Sequence, residues 1–295
     1  MAGYGLFAQV YDSLTENVPY DEIAEYYHGK IQKFRDGEGG FLADAGCGTG
    51  NLTARMAAKG YDVIGADASP DMLSEAMNKP HDGVQYICQG MTGLELYGEA
   101  DIIISTLDSV NHLGSAEEIA EFFRAAALNL RKGGLLLFDV NTIYKHEKIL
   151  ADNVFVYDID EVYCVWQNEY SPADNGVNIS LNIFVEGDDG LYDRMEEGFR
   201  EIALPQEKIT QLLEKSGFDV RSSLSRGFSK IFEKVLKTFT EGHIPYGLEA
   251  PPRFELGVRV LQTHALPLGY SAEIGADYEA RTRYLHLGKV ALYQM

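Results

Sequence analysis

The sequence predicts an α/β protein built on a doubly wound, mostly parallel sheet, with an antiparallel meander inserted after the fifth strand. Three observations predict it. Between about residue 40 and residue 140, short apolar runs alternate with helix-length amphipathic segments. Those apolar runs are unbroken, as strands covered on both faces require. After residue 141 the texture changes to a period of two, which suits antiparallel strands with one wet face.

Phe41–Asp44, Val63–Asp67, Val84–Cys88, Asp101–Ser105 and Leu135–Asp139 read as the five strands. Ser69-Pro70-Asp71 offers a helix N-cap, a proline at the first helical position and an acid at the positive end of the dipole. Ser115 and Glu118 have capping-box spacing, and Ile119, Phe122, Phe123, Ala126 and Leu130 follow on one stripe. Arg131-Lys132-Gly133 reads as the cationic, glycine-capped end of that helix. Repeated β-α-β units with right-handed crossovers then give an open sheet.

Over residues 153–202, Val162, Cys164 and Trp166, then Ile179, Leu181, Ile183 and Val185, alternate with polar residues. Turn-forming clusters stand at residues 171–176 and 186–190. A helix is expected over Pro205–Lys215, with Ile209, Leu212 and Leu213 inward, followed by a short strand over Phe218–Val220. Residues 228–239 repeat apolar side chains at helical spacing, with Lys230, Lys234 and Lys237 on a solvated face.

Composition narrows the function. The 295 residues include 25 Lys and Arg against 45 Asp and Glu, a formal charge of -20. So acidic a surface repels phosphate backbones and anionic headgroups, which argues against nucleic-acid and membrane partners. Cys47, Cys88 and Cys164 are widely spaced and form no CxxC pair, so a reducing cytoplasm is expected and a zinc site is not. The amino terminus lacks the basic and apolar regions of a secretion signal, and no apolar run is long enough to span a bilayer. A cytoplasmic monomer or homodimer without metal is the expectation.

The chemistry concentrates in Asp44-Ala45-Gly46-Cys47-Gly48-Thr49-Gly50-Asn51, between the first strand and the first helix of the sheet. Glycines there let the backbone turn sharply and approach a ligand at the carboxyl edge of the sheet. The spacing is G-x-G-x-G, and Asn51 stands where a dinucleotide loop needs its third glycine, so a nicotinamide-dependent oxidoreductase is disfavoured. Asp67 ends the second strand, where a carboxylate can accept both ribose hydroxyls.

On these residues the chain resembles the class I S-adenosylmethionine-dependent methyltransferases, in particular small bacterial single-domain members. The likeness spans roughly residues 4–221 and is carried by three further stretches: residues 63–73, residues 101–113 and the opening residues 7–14. It implies a seven-strand-type methyltransferase sheet, S-adenosylmethionine as methyl donor and a small-molecule acceptor. By position it implies that Asp44 and Ala45 lead into a loop whose Gly46, Cys47 and Gly48 line the methionine portion. Asp67 would hold the ribose, with Ala68 and Met72 near it or the adenine. Gly90-Met91 stands where the family usually has an aspartate and an apolar residue, so the adenine loses that carboxylate while Met91 can still stack. Leu107, Asp108 and His112 would border the reactive sulfonium, Asp108 and His112 being the candidates for a catalytic part. Tyr11, with Tyr20, would cap the cofactor.

Cys47 is rejected as a nucleophile because no base is placed near it. Trp166 and Tyr170 are candidates for the acceptor pocket, though core packing or an oligomer interface is the stronger expectation. Residues 153–202 are expected to form a lid or side wall within one domain over 1–221. A protein that binds S-adenosylmethionine or S-adenosylhomocysteine without turnover is the alternative function. The tail, 222–295, departs from the family pattern and resembles the translation of a stable-RNA gene region in an unintended frame. Residues from about 249 are therefore expected to lie loosely on the surface, the alternative being a lineage-specific extension that adds a strand or a dimer contact.

Overall fold

A computed structural model describes residues 5–35, 39–80 and 83–220. The expected helix over 228–239 and the expected loose tail lie outside the described residues. Five strands form one wholly parallel sheet: β1 (Gly40–Ala45), β2 (Tyr61–Asp67), β3 (Val84–Cys88), β4 (Ala100–Ser105) and β5 (Leu130–Phe138). Their order is β3-β2-β1-β4-β5, so the winding reverses between β1 and β4. Ligands of doubly wound folds bind at the carboxyl edge beside such a reversal. Asp44 of β1 pairs with Gly65 of β2 and Ile104 of β4, which brings the three strand tips level at that edge.

Alternate residues of the strands serve opposite faces. Leu42, Val63, Ile102 and Ile104 pack beneath α2 (Tyr20–Phe34) and α3 (Asn51–Ala58). Ala43 and Ile103 pack beneath α5 (Ala116–Asn129) and α6 (Gln206–Lys215), through Phe122, Phe123 and Leu212. Both predicted caps form. Ser69 Oγ accepts from Met72 N (3.2 Å) at the start of α4 (Pro70–Asn78), and Ser115 Oγ accepts from Glu118 N (3.1 Å).

Two expectations change. Arg131-Lys132-Gly133 does not close a helix: α5 stops at Asn129 and the next residue already opens β5. The Asn129 amide donates to Ala125 O and Leu94 O, both at 2.8 Å, and its oxygen accepts from Leu96 N, so the side chain ends the helix before the glycine. Gly133, at φ +80°, instead serves an irregular start of β5, where the pairing with β4 slips between Ala100 and Ile102. Residues 218–220 form no strand; Phe218 and Val220 pack on the α5–α6 side of the core.

The predicted meander is a four-stranded antiparallel sheet in sequential order, β6 (Val154–Ile159), β7 (Val162–Ser171), β8 (Gly176–Glu186) and β9 (Tyr192–Ile202). Its dry face shares one core cluster with Phe7, Ala8, Val10 and Leu14 of α1 (Gly5–Leu14) and with Met72 of α4. The far end of β9 runs into the main core, where Ile202 is buried. Among the described residues no helix is long and apolar enough to cross a membrane.

Candidate functional site

The turn after β1 is shaped by its glycines. Gly46 and Gly48 have φ of +79° and +54°, a region that penalises any side chain. A Cβ on Gly46 would stand 2.8 Å from Ser109 Cβ, whereas one on Gly48 would meet nothing within 4 Å. Gly46 N and Cys47 N both donate to Ala66 O, at 2.8 and 3.1 Å, which fastens the turn to β2. Asp67, half-buried at the tip of β2, accepts from Gly48 N and Ser69 N, each at 2.8 Å. Burial nevertheless raises its pKa above the ordinary carboxylate value. Beneath the turn, Asp44 Oδ2 accepts from Thr53 Oγ1 (2.7 Å), while the buried Oδ1 has no partner. Burial pushes this carboxyl up to about 7.

α1 is latched onto the same turn. Asp12 Oδ1 accepts from Thr49 Oγ1 (2.6 Å) and Asn51 Nδ2 (2.8 Å), and its other oxygen pairs with Lys79. A cavity therefore opens between Tyr11 and Tyr20 on one side and Gly46, Gly48, Leu107 and Ser109 on the other.

Past the tip of β4, Leu107 and Asp108 both adopt left-handed backbone, at φ +54° and +57°. Two such non-glycine residues cost about 1–3 kcal/mol each and persist only where the surroundings hold them. Asp139, at the end of β5, holds them: its carboxylate accepts from Leu107 N (3.0 Å), Asp108 N (2.7 Å) and Tyr27 OH (3.1 Å). This turn aims the Asp108 side chain at Glu201 of β9. Asn141 Nδ2 donates to Asp108 Oδ2 (2.9 Å) and to Glu201 Oε2 (2.6 Å). Lys145 Nζ, wholly buried, donates to Asn141 Oδ1 (2.6 Å) and lies 3.7 Å from Asp108 Oδ2. His146 Nε2 lies 3.2 Å from Glu201 Oε2.

The other oxygens, Asp108 Oδ1 and Glu201 Oε1, are buried without a hydrogen-bond partner. Each stands 4.0 Å from His112 Nε2, whose exposed ring rests on Phe199 with centroids 5.0 Å apart. Burial and the neighbouring Glu201 charge push Asp108 well above the carboxylate range. Burial also opposes the charge on Glu201, but the His146 bond and the electrostatic pull of His112, His146 and Lys145 hold it at about 2.

Of the residues singled out in the sequence, Tyr11, Asp44, Gly46, Cys47, Gly48 and Leu107 line the cavity. Asp108 and His112 meet beyond Ser109, with Glu201. Ala45 is buried in β1, and Met72 is buried in the α1 cluster, while Ala68 is exposed. Gly90 adjoins Ala68, the Cβ it lacks falling 3.9 Å from Ala68 Cβ, and Met91 Sδ lies 3.5 Å from the position of a Gly46 Cβ. Burial raises the Cys47 thiol far above its usual value, in keeping with its rejection as a nucleophile. Trp166 is a core residue, packed with Phe155 and Tyr157 and donating to Asn168. Tyr170 OH donates to Asn175 Oδ1 (3.2 Å). Sequence reasoning missed Asp12, Asp139, Asn141, Lys145, His146 and Glu201. Polar Asp139 and Asn141 directly after the apolar run of β5 were a usable signal; Glu201 offered none.

Residues 42–134 match a family model described as a methyltransferase domain. A candidate methyltransferase of Geobacillus sp. (strain WCH70) is 33% identical over 220 residues, which cover 74% of this chain and 89% of that one. The crystal structure of an S-adenosylmethionine-dependent methyltransferase from Clostridium acetobutylicum ATCC 824 superposes with a TM-score of 0.65 at 30% identity, covering 76% of this chain and 92% of that one. The sugar N-methyltransferase KedS8 from Streptoalloteichus sp. ATCC 53650, at 19% identity and a TM-score of 0.62 over 74% of this chain and 85% of its own, shares the fold.

Proposed function

Because this chain belongs to the S-adenosylmethionine-dependent methyltransferases, we propose that it methylates a small-molecule acceptor held between the glycine turn and the antiparallel sheet. The observation that carries the reading is the cavity at the β1–β4 reversal, bordered by the open face of Gly48 and roofed by Tyr11 and Tyr20. These residues fit the donor. Each oxygen of Asp67 already accepts one backbone N–H and keeps a lone pair for a ribose hydroxyl. Gly46, Cys47 and Gly48 offer backbone without bulk beside the methionine portion, and the free Oδ1 of Asp44 lies below them. Ala68, Gly90 and Met91 border the adenine side, with Met72 supporting that wall from the core.

When bound, S-adenosylmethionine supplies a methyl group already activated on cationic sulfur. The protein's work is then alignment and exclusion of water more than acid–base chemistry. Tyr11, latched in place through its neighbour Asp12, closes the donor side. Leu107, Asp108 and His112 face the acceptor, and the antiparallel sheet walls that side with Phe199 and Glu201. The charge of -20 supports a small acceptor over nucleic acid.

Asp67→Ala tests the reading. Removing a carboxylate that takes both ribose hydroxyls should cost about 2–3 kcal/mol of S-adenosylmethionine affinity by calorimetry. Unchanged affinity refutes the assignment.

A further inference from the structure

We propose that the acceptor is a primary amine that docks as its ammonium among Asp108 Oδ1, Glu201 Oε1 and His112 Nε2. This rests on the methyl-transfer reading above. The two carboxylate side chains are 5% and 0% exposed. One oxygen of each is tied down by Asn141, with Lys145 and His146 behind, and the other oxygen of each has no hydrogen-bond partner. A desolvated carboxyl oxygen is expensive to leave unpaired, and an entering cation favours the ionised form of Asp108 that burial and the Glu201 charge oppose, so the place suits a positively charged donor from outside the chain.

Spacing selects the ligand. The three atoms lie within 4.8 Å of one another, with His112 Nε2 at 4.0 Å from each oxygen. A triangle with two sides of 4.0 Å and a third of at most 4.8 Å has its centre about 2.5 Å or less from every corner, and a nitrogen standing a little above its plane reaches the about 2.7–2.9 Å of a charge-assisted N–H···O bond. Zinc or magnesium, at about 2.0–2.2 Å, stands nearer the centre of the triangle but needs one to three further ligands, and both carboxyl groups are already held by their other oxygen. Calcium matches the distance but takes about six to eight oxygens, and this triangle offers two. A hydroxyl has one hydrogen for three acceptors, whereas an ammonium has three.

The chemistry balances. One N–H proton passes to His112 Nε2, whose side chain is 35% exposed and can release it to water. The amine then turns on its bonds to the two carboxyl oxygens, and the freed lone pair bonds to the methyl carbon as the carbon–sulfur bond breaks, its electron pair remaining on sulfur. The methylated product is again a cation facing the same carboxylates.

Calorimetry on the full chain saturated with S-adenosylhomocysteine tests this, with butylammonium and butan-1-ol as a charged and a neutral probe of one shape. Butylammonium should bind about tenfold or more tighter than butanol. That ratio should fall toward one in Glu201→Gln and in Asp108→Asn. Butylammonium binding no tighter than butanol in the unaltered protein overturns the proposal without any variant. Tetramethylammonium binding as tightly as butylammonium also overturns it, since charge without N–H donors then suffices. Saturable Mn²⁺ binding by electron paramagnetic resonance that disappears in Glu201→Gln assigns the triangle to a metal instead. If S-adenosylhomocysteine itself does not bind, the methyl-transfer reading fails, and the ammonium site with it.

Discussion

Gly46→Ala and Gly48→Ala are the same substitution two residues apart, yet the structure expects opposite consequences. Both positions have left-handed φ, so each alanine carries a backbone penalty of about 1–2 kcal/mol. At Gly48 nothing else is added, because the new methyl meets no atom within 4 Å. At about 2–4 °C per kcal/mol for a domain of this size, Gly48→Ala should lower Tm by about 2–8 °C. At Gly46 the methyl would lie 2.8 Å from Ser109 Cβ and Oγ. Ser109 cannot easily retreat, since its Oγ donates to Thr106 O (2.8 Å) and Gly46 O (3.2 Å). Overpacking of this kind adds about 1–3 kcal/mol. Gly46→Ala should therefore be clearly the less stable variant in a calorimetric scan. Binding runs the other way: the Gly48 methyl occupies space at the cavity and should weaken S-adenosylhomocysteine at least about tenfold in a protein that remains folded. Parental affinity in Gly48→Ala refutes the placement of the donor beside the turn. Equal stability of the two variants refutes the packing of Ser109 on Gly46.

The carboxyl of Asp44, raised by burial from 3.8 to about 7, favours the folded state only while protonated. Its contribution, at most about 4 kcal/mol, is present below about pH 4 and lost as pH rises to about 7. Asp44→Asn should flatten the fall in Tm of the ligand-free protein between about pH 5 and pH 7.5; a variant that keeps the parental slope shows that Asp44 is not its source. Asp139→Asn turns an N–H toward donors that the carboxylate accepts and should cost about 1–3 kcal/mol by thermal unfolding, with an unaltered Tm ruling out its hold on the Leu107–Asp108 turn. Asp12→Ala unlatches α1 from Thr49 and Asn51 and should weaken S-adenosylmethionine about three- to tenfold, a change that titration calorimetry resolves and that a loss below about twofold would contradict.

What the sequence by itself determined is local. Runs such as Leu135–Phe138 place strand centres because a strand covered on both faces tolerates no polar interruption. Ser69 and Ser115 place helix starts because an N-cap acts on a donor two or three residues away. The glycine turn and Asp67 were legible for the same reason: their chemistry is written within one turn and one strand tip. Where a local signal had a competitor, it failed. Arg131-Lys132-Gly133 reads as a helix end, but Asn129 ends the helix earlier by bonding to Leu94, a partner on another segment. Phe218 and Val220 have strand-like alternation, yet among the described residues they find the core and no neighbouring strand.

Only the tertiary structure brought Glu201 to Asp108. Glu201 sits in an acidic, polar stretch of β9 that reads as a solvated edge. Its register opposite Val177, with Phe199 and Met195 packed inward on the same alternation, turns it into the interior. There it meets Asp108, which a strained backbone held by Asp139 from a third strand points back toward it. No periodicity encodes that meeting. Two carboxylates become one site through distance and shared burial, and both quantities arise only when the antiparallel sheet closes on the edge of the parallel one.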